Sequence, residues 1–188
     1  MKRSSAVALS VVALAVLTGG CGYNTIQTMD EKVNQAQGQI QTQLQRRADL
    51  IPNLVNTVKG ITKQEDTVFI SIANARAKLS GAVQSGNVPD MAAANAVLSQ
   101  GLGRLLAIAE NYPELRSSEN FRQLQDQLEG TENRISVARQ DYNTAVGEYN
   151  AYIRRFPYNL TAKVFGMGKA REYFEAEKGA TEAPKVQF

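Results

Sequence analysis

Residues 46–55 read Arg-Arg-Ala-Asp-Leu-Ile-Pro-Asn-Leu-Val, and the way they fold decides the architecture. On both sides of them an apolar residue recurs every three or four positions. Upstream lie Ile26, Met29, Val33, Ala36, Ile40 and Leu44; downstream lie Leu54, Val58, Ile61, Val68, Ile72, Ala75 and Leu79, with Glu65 the weak position. That spacing keeps one helix face turned toward a partner. Pro52 interrupts the backbone bonding while the apolar phase runs through it. A single helix over residues 26–79 would reach roughly 80 Å at about 1.5 Å per residue, against roughly 30 Å for the segment that follows. If Asp49 instead caps a new helix with Pro52 in its first turn, where a missing N–H costs nothing, the segments become comparable rods. A turn at Asp49 to Pro52 is therefore the expectation, with a kinked continuous helix as the alternative.

Two further seams follow. One is Met91, Ala94, Leu98, Gly101, Leu105 and Ile108; the other is Phe121, Leu124, Leu128, Thr131, Ile135, Ala138, Tyr142, Ala145, Tyr149 and Tyr152. Residues 35–45 carry Gln at every second position, a strand-like alternation, but the residues between include only Ile40 and Leu44 as large apolar side chains, so a strand would bury little. A helix fits better. The Gly, Ser and Asn of residues 81–89 predict a break, with Asp90 capping the third helix. Tyr112-Pro113 stops that helix, Ser117 or Ser118 caps the fourth, and Pro157 ends it. The expected fold class is all-α, an up-and-down four-helix bundle of long helices.

The N-terminus reads as a leader. Lys2 and Arg3 precede an apolar run over residues 6–17, then Thr18-Gly19-Gly20 and Cys21, the single cysteine. A run of roughly a dozen residues is short for a span and suits a cleaved export signal of the lipoprotein kind. Leu17 lies four rather than three before the cysteine, so the match to that signal is imperfect. The expected division is a signal peptide over 1–20 and one helical domain over 21–188, with lipid such as palmitate on Cys21 as the anchor.

Composition narrows function. The chain has 21 Lys+Arg and 18 Asp+Glu; removing Lys2 and Arg3 leaves roughly +1, which gives no reason to invoke nucleic acid. With no histidine and its only thiol committed to lipid, the chain has no imidazole chemistry, no disulfide and no cysteine metal site. No G-x-S-x-G, Walker or Rossmann pattern is present. The expectation is no enzyme, no cofactor and no metal.

The stretch Arg46-Arg47-x-Asp49-Leu50-Ile51-Pro52-Asn53-Leu54-Val55 resembles the signature of the LemA family. Further matches follow in order: Ala75-Arg76, Glu110-Asn111-Tyr112-Pro113-Glu114-Leu115, Glu132-Asn133-Arg134-Ile135, Tyr142-Asn143, Tyr149-Asn150, Phe156-Pro157 and Pro184-Lys185-Val186-Gln187-Phe188. The resemblance implies a helical bundle on the outer side of a bacterial membrane and supplies no agreed activity. It also implies that many relatives use a transmembrane helix where this chain has Cys21, and that some, in magnetosome-forming bacteria, are associated with membrane organelle assembly.

Three clusters carry the chemistry. Arg46, Arg47, Asp49 and Asn53, together with Glu110 and Tyr112, form a charged pole that either pairs internally to fix turns or docks an envelope protein. Tyr142, Asn143, Tyr149, Asn150 and Tyr152, with Tyr23-Asn24, read as a core whose phenols reach polar partners, or as a small-molecule site between helices. Between residues 154 and 171, Arg154, Arg155, Lys163, Lys169 and Arg171 meet no acid and interleave with Phe156, Tyr158, Leu160, Val164, Phe165 and Met167; this reads as a membrane interface or as an irregular segment folded over the bundle end. The functional expectation is a lipid-anchored envelope scaffold or interaction module, partnered by membrane lipid through Cys21 and by an envelope protein. The alternative is a binding protein for a small molecule or peptide. Gly22 in place of an aspartate fits outer-membrane sorting if the cell has two membranes.

Overall fold

The helix that approaches Pro52 continues through it. In the computed structural model, which describes residues 2–60 and 66–175 with side chains from residue 22 onward, α1 spans Lys2–Lys59 with Pro52 inside it. The expected turn at Asp49 is therefore corrected. Asp49 sits within the helix and accepts a hydrogen bond from Gln45 Nε2 at 2.9 Å. The buried seam Leu44, Ala48, Ile51, Leu54, Val58 passes Pro52 without a phase change.

A proline in a helix leaves the carbonyl four residues earlier without its amide donor. Here that carbonyl belongs to Ala48, and the Nε of Arg76 donates to it at 2.8 Å. A side chain from another helix thus replaces the bond that Pro52 removes. Arg76→Met is expected to destabilise the fold by about 1–3 kcal/mol, since it leaves a buried acceptor unpaired. In a Pro52→Ala background the amide returns and the cost of Arg76→Met should shrink; equal costs in the two backgrounds, by denaturant melts, would refute the substitution of one donor for the other.

The length argument for a turn fails because the break comes later than expected. The helix ends at Lys59, and α2 is Asp66–Ser85, so the predicted second segment is divided between them. Ile61 and Glu65 of its seam lie outside the described residues. Residues 26–59 then equal α5, Glu119–Tyr152, at 34 residues, while α2 and α3, Val88–Ala109, pair as rods of 20 and 22 residues. Two short helices complete the set, α4 (Pro113–Ser117) and α6 (Tyr158–Val164). Among the described residues there are six helices and no strand, and the glutamine-rich residues 35–45 are helical as expected.

The chain forms two compact units, and α1 and α5 contribute to both. One unit holds Gln37–Gln140 with Tyr173–Phe188. In it, α1 runs antiparallel to α2: Gln41 Nε2 donates to the Val83 carbonyl at 3.4 Å, and Ala48 receives Arg76. The α2–α3 connection is shorter than the sequence suggests, because α2 continues to Ser85. Gly86 adopts φ +70°, a left-handed conformation that glycine reaches without strain. Gln37 Nε2 holds its carbonyl at 2.8 Å. Asn87, not Asp90, caps α3, accepting the Asp90 amide at 3.2 Å, with Pro89 in the first turn. Pro113 likewise opens α4 rather than ending α3, which stops at Ala109. Ser118, extended at ψ 122°, precedes α5 as anticipated. The Lys59 ammonium, at the end of α1, stands 5.0 Å from the centre of the Phe69 ring of α2. By length and composition α3 could cross a membrane, but Met91, Leu98 and Leu105 are fully buried and make it a core helix.

The seam of α5 is close to the expected one. Phe121, Leu128, Thr131, Ile135, Ala138, Tyr142 and Tyr149 are buried. Val146 and Ile153 are buried in place of Ala145 and Tyr152, which like Leu124 are only half-buried. Thr131 satisfies its hydroxyl on the Gln127 carbonyl at 2.7 Å.

Candidate functional site

The second unit, Met1–Ala36 with Asp141–Glu172, contains the tyrosine and asparagine set and the basic, apolar stretch after α5. The heptad-like spacing of Tyr142, Tyr149 and the adjacent Asn150 points all three from one face of α5, and all three are buried. Tyr142 Oη donates to the Glu172 carbonyl at 2.9 Å and Tyr149 Oη to the Met167 carbonyl at 3.0 Å. Asn150 binds Arg171 twice, donating to its carbonyl at 2.9 Å and accepting its amide at 2.8 Å. Residues 167–172, which form no helix, are therefore held to α5 by side chains in place of a backbone ladder. Burial raises the Tyr142 phenol above its ordinary pKa. Burial, and then the nearby Asp30 carboxylate, do the same at Tyr149.

The same strap is tied to α1. Arg171 Nη2 pairs with Asp30 Oδ1 at 2.7 Å and reaches Asn34 Oδ1 at 3.3 Å. Gln27 Nε2 contacts Met167 Sδ at 3.2 Å. Near the start of the described side chains, Tyr23 meets Phe165 with ring centres 4.7 Å apart, and Tyr152 stacks on Tyr158 at 4.3 Å. A Cβ on Gly22 would come within 2.7 Å of the Tyr158 ring, so glycine at that position has a packing reason independent of any sorting role.

Tyr158, Asn159, Thr161, Met167, Ala170 and Arg171 are half-buried and Ala162 is buried, while the other residues of the stretch are exposed. Phe156 and Val164 are each 79% exposed, Phe165 59% and Leu160 54%. Arg154, Arg155, Lys163 and Lys169 are also exposed and have no ion-pair partner among the described residues. The stretch is irregular with one short helix, and its outer face is apolar and cationic. Arg171 is the exception, half-buried and paired with Asp30.

The charged pole divides. Arg47 is buried; its Nη1 lies 2.7 Å from Asn95 Oδ1 and 2.6 Å from Glu132 Oε2, and its Nη2 donates to Ser99 Oγ at 3.0 Å. It joins α1, α3 and α5. Arg46, Asp49 and Asn53 are exposed on α1, Glu110 is exposed just past α3, and Tyr112 is half-buried. Gln37 bonds Gly86, and Arg47 bonds Asn95 and Ser99. That register sets Glu110 level with Lys59, about two turns beyond Asn53, so the two halves of the pole do not share one turn. An open depression of about 430 Å³ lies between α2 and α3, lined by Lys78, Gly81, Ala82, Asp90, Ala93 and Val97 among others, and not at the tyrosines. Among the described residues no group of three or more His, Cys, Asp or Glu could hold a metal.

Comparison with known proteins adds the family. The LemA family model matches residues 36–188. The chain belongs to the LemA family. It is similar to magnetosome protein MamQ 2 of Paramagnetospirillum magneticum strain AMB-1, 30% identical over 95% of this chain and 73% of the relative. It is also similar to magnetosome protein MamQ of Magnetospirillum gryphiswaldense strain MSR-1, 28% identical over 96% of this chain and 75% of the relative.

The LemA match takes in the Arg47 network, the strap and α6, and begins after Cys21, Asp30 and Asn34. The side chain of Cys21 and the closing segment with Pro184 and Phe188 lie outside the described residues. Sequence reasoning missed Asp30, Asn34, Arg76, Asn95, Ser99 and Glu132 as partners. Asn95 carried one signal: a polar residue next to the α3 seam position Ala94.

Proposed function

We propose that this LemA-family chain is a non-catalytic envelope scaffold, an up-and-down helical bundle behind a cleaved signal, held by lipid on Cys21 to the outer side of the cytoplasmic membrane or, in a two-membrane cell, to the outer membrane. One observation carries the reading: the polar side chains that would build an internal site are committed to the chain itself. Tyr142, Tyr149 and Asn150 bind its own backbone, and Arg47 binds its own helices. What remains displayed is the exposed polar and charged set Arg46, Asp49 and Asn53 on α1, with Glu110 exposed just past α3. These residues are the docking side for an envelope protein. The similarity to magnetosome proteins is consistent with work at a membrane, and by analogy only.

Cys21→Ser is expected to block acylation and move the protein out of the membrane fraction, because once the leader is cleaved the lipid on Cys21 is what anchors the chain. Fractionation reads this directly. Full membrane retention of the variant, or an uncleaved leader, overturns the lipid assignment. Crosslinking in intact envelopes followed by mass spectrometry should recover one reproducible partner attached near Arg46 to Asn53; crosslinks confined to this chain would remove the docking role.

A further inference from the structure

We propose that the outer face of α6 and its flanking residues is a second, reversible membrane contact that seats on anionic lipid. The inference rests on the membrane-bound reading above and adds which surface of the folded body meets the bilayer, and which lipid chemistry it takes.

Leu160 and Val164 are one helical turn apart on α6, and Phe156 and Phe165 flank its two ends. All four project outward, although Ala162 of the same short helix is buried. Exposed apolar residues scattered singly need no explanation, but four large ones within ten residues form a patch, and such patches mark binding surfaces. The occupant follows from charge. Arg154, Arg155, Lys163 and Lys169 are exposed in the same stretch, residues 154–171 contain no acid, and among the described residues Arg171 is the one cation of the stretch paired with a carboxylate, Asp30. A mixed apolar and cationic surface fits the boundary between headgroups and acyl chains of an anionic bilayer. A soluble acidic partner would leave the four apolar side chains unused.

Position supports the same occupant. Tyr158 of α6 packs against Gly22, and Phe165 against Tyr23, the residues directly after Cys21. No linker intervenes, because α1 is already helical there. A lipid on Cys21 therefore brings this face to the bilayer, and the contact adds to the anchor in the way a basic patch supplements an acyl chain.

The chain contains no tryptophan, so a single substitution supplies a unique reporter. Full-length Val164→Trp, purified in detergent, is reconstituted into vesicles of phosphatidylglycerol with brominated phosphatidylcholine, and Val137→Trp, at a site 60% exposed on α5, serves as the reference. A face buried about 5–10 Å into the headgroup boundary should give Val164→Trp a blue-shifted emission quenched by roughly twofold or more, with Val137→Trp unchanged. Adding Arg154→Gln, Arg155→Gln, Lys163→Gln and Lys169→Gln should abolish the quenching, each lost charge shifting the seated equilibrium by roughly fivefold. All five positions are exposed, and circular dichroism should show an intact fold. If Val164→Trp stays unquenched while the protein still floats with the vesicles, the second contact is wrong and the anchor stands. If the unsubstituted protein fails to float at all, both fall. Quenching that persists unchanged in vesicles of zwitterionic lipid alone overturns the anionic specificity.

Discussion

Arg47→Met should destabilise the protein by about 3 kcal/mol, the lower end of the range for breaking a buried charge pair. The lower end applies because Glu132 is half exposed and water can take over part of its solvation. Asn95 has no such relief: it is buried, and its Oδ1 loses the Nη1 donor at 2.7 Å. Arg47→Lys should recover only part of the loss, since one ammonium on a flexible stem cannot reproduce a planar fork reaching Asn95, Ser99 and Glu132 together. The neighbouring Arg46→Met, at an exposed position, should stay within about 0.5 kcal/mol. Denaturant melts of the three variants decide the matter. Equal losses at 46 and 47 would mean that the network does not hold the helices, and loss of a partner with unchanged stability at 47 would make it a docking residue after all.

The second large effect is in the α5 seam. Ile135→Ala should cost about 2–5 kcal/mol, since the side chain is fully buried and its removal leaves a cavity that rigid helices close only in part. Leu128→Ala falls in the same range and nearer its lower end, because Leu128 sits at the margin of burial. Val137→Ala, two residues from Ile135 but exposed, should change stability hardly at all. A circular-dichroism melt in which Ile135→Ala and Val137→Ala behave alike would show that the seam has been placed on the wrong face.

The seams were legible because they depend on helix period alone: Ile26 to Leu44, Met91 to Leu105 and Phe121 to Tyr149 need no partner to be recognised. Pro52 was misread because its missing hydrogen bond is repaired from a residue that local rules do not reach. Arg76 is 28 positions from Ala48, and nothing in its own neighbourhood marks it as a backbone donor. The cap of α3 was missed by three residues for a smaller reason: Asn87 and Asp90 are both good caps, and only the position of Pro89 in the first turn separates them. At the strap, the tyrosines were expected to find polar partners, but the partners are carbonyls of residues 167–172, which have no periodic signal. The cationic and apolar character of α6 was readable from composition. Which residues of the stretch after it make internal contacts, such as Met167 and Arg171, depended on Gln27 and Asp30.

The bond from Arg76 to Ala48 also sets a timetable for synthesis. The ribosome releases Pro52 well before Arg76, so for that interval only water donates to the Ala48 carbonyl. The protein donor for that carbonyl arrives only when α2 has emerged and folded back, so the stretch around Pro52 gains its full native bonding later than the helix before it. The proline divides one continuous rod into an early half and a late half, and the late half is completed by the hairpin that will pack against it.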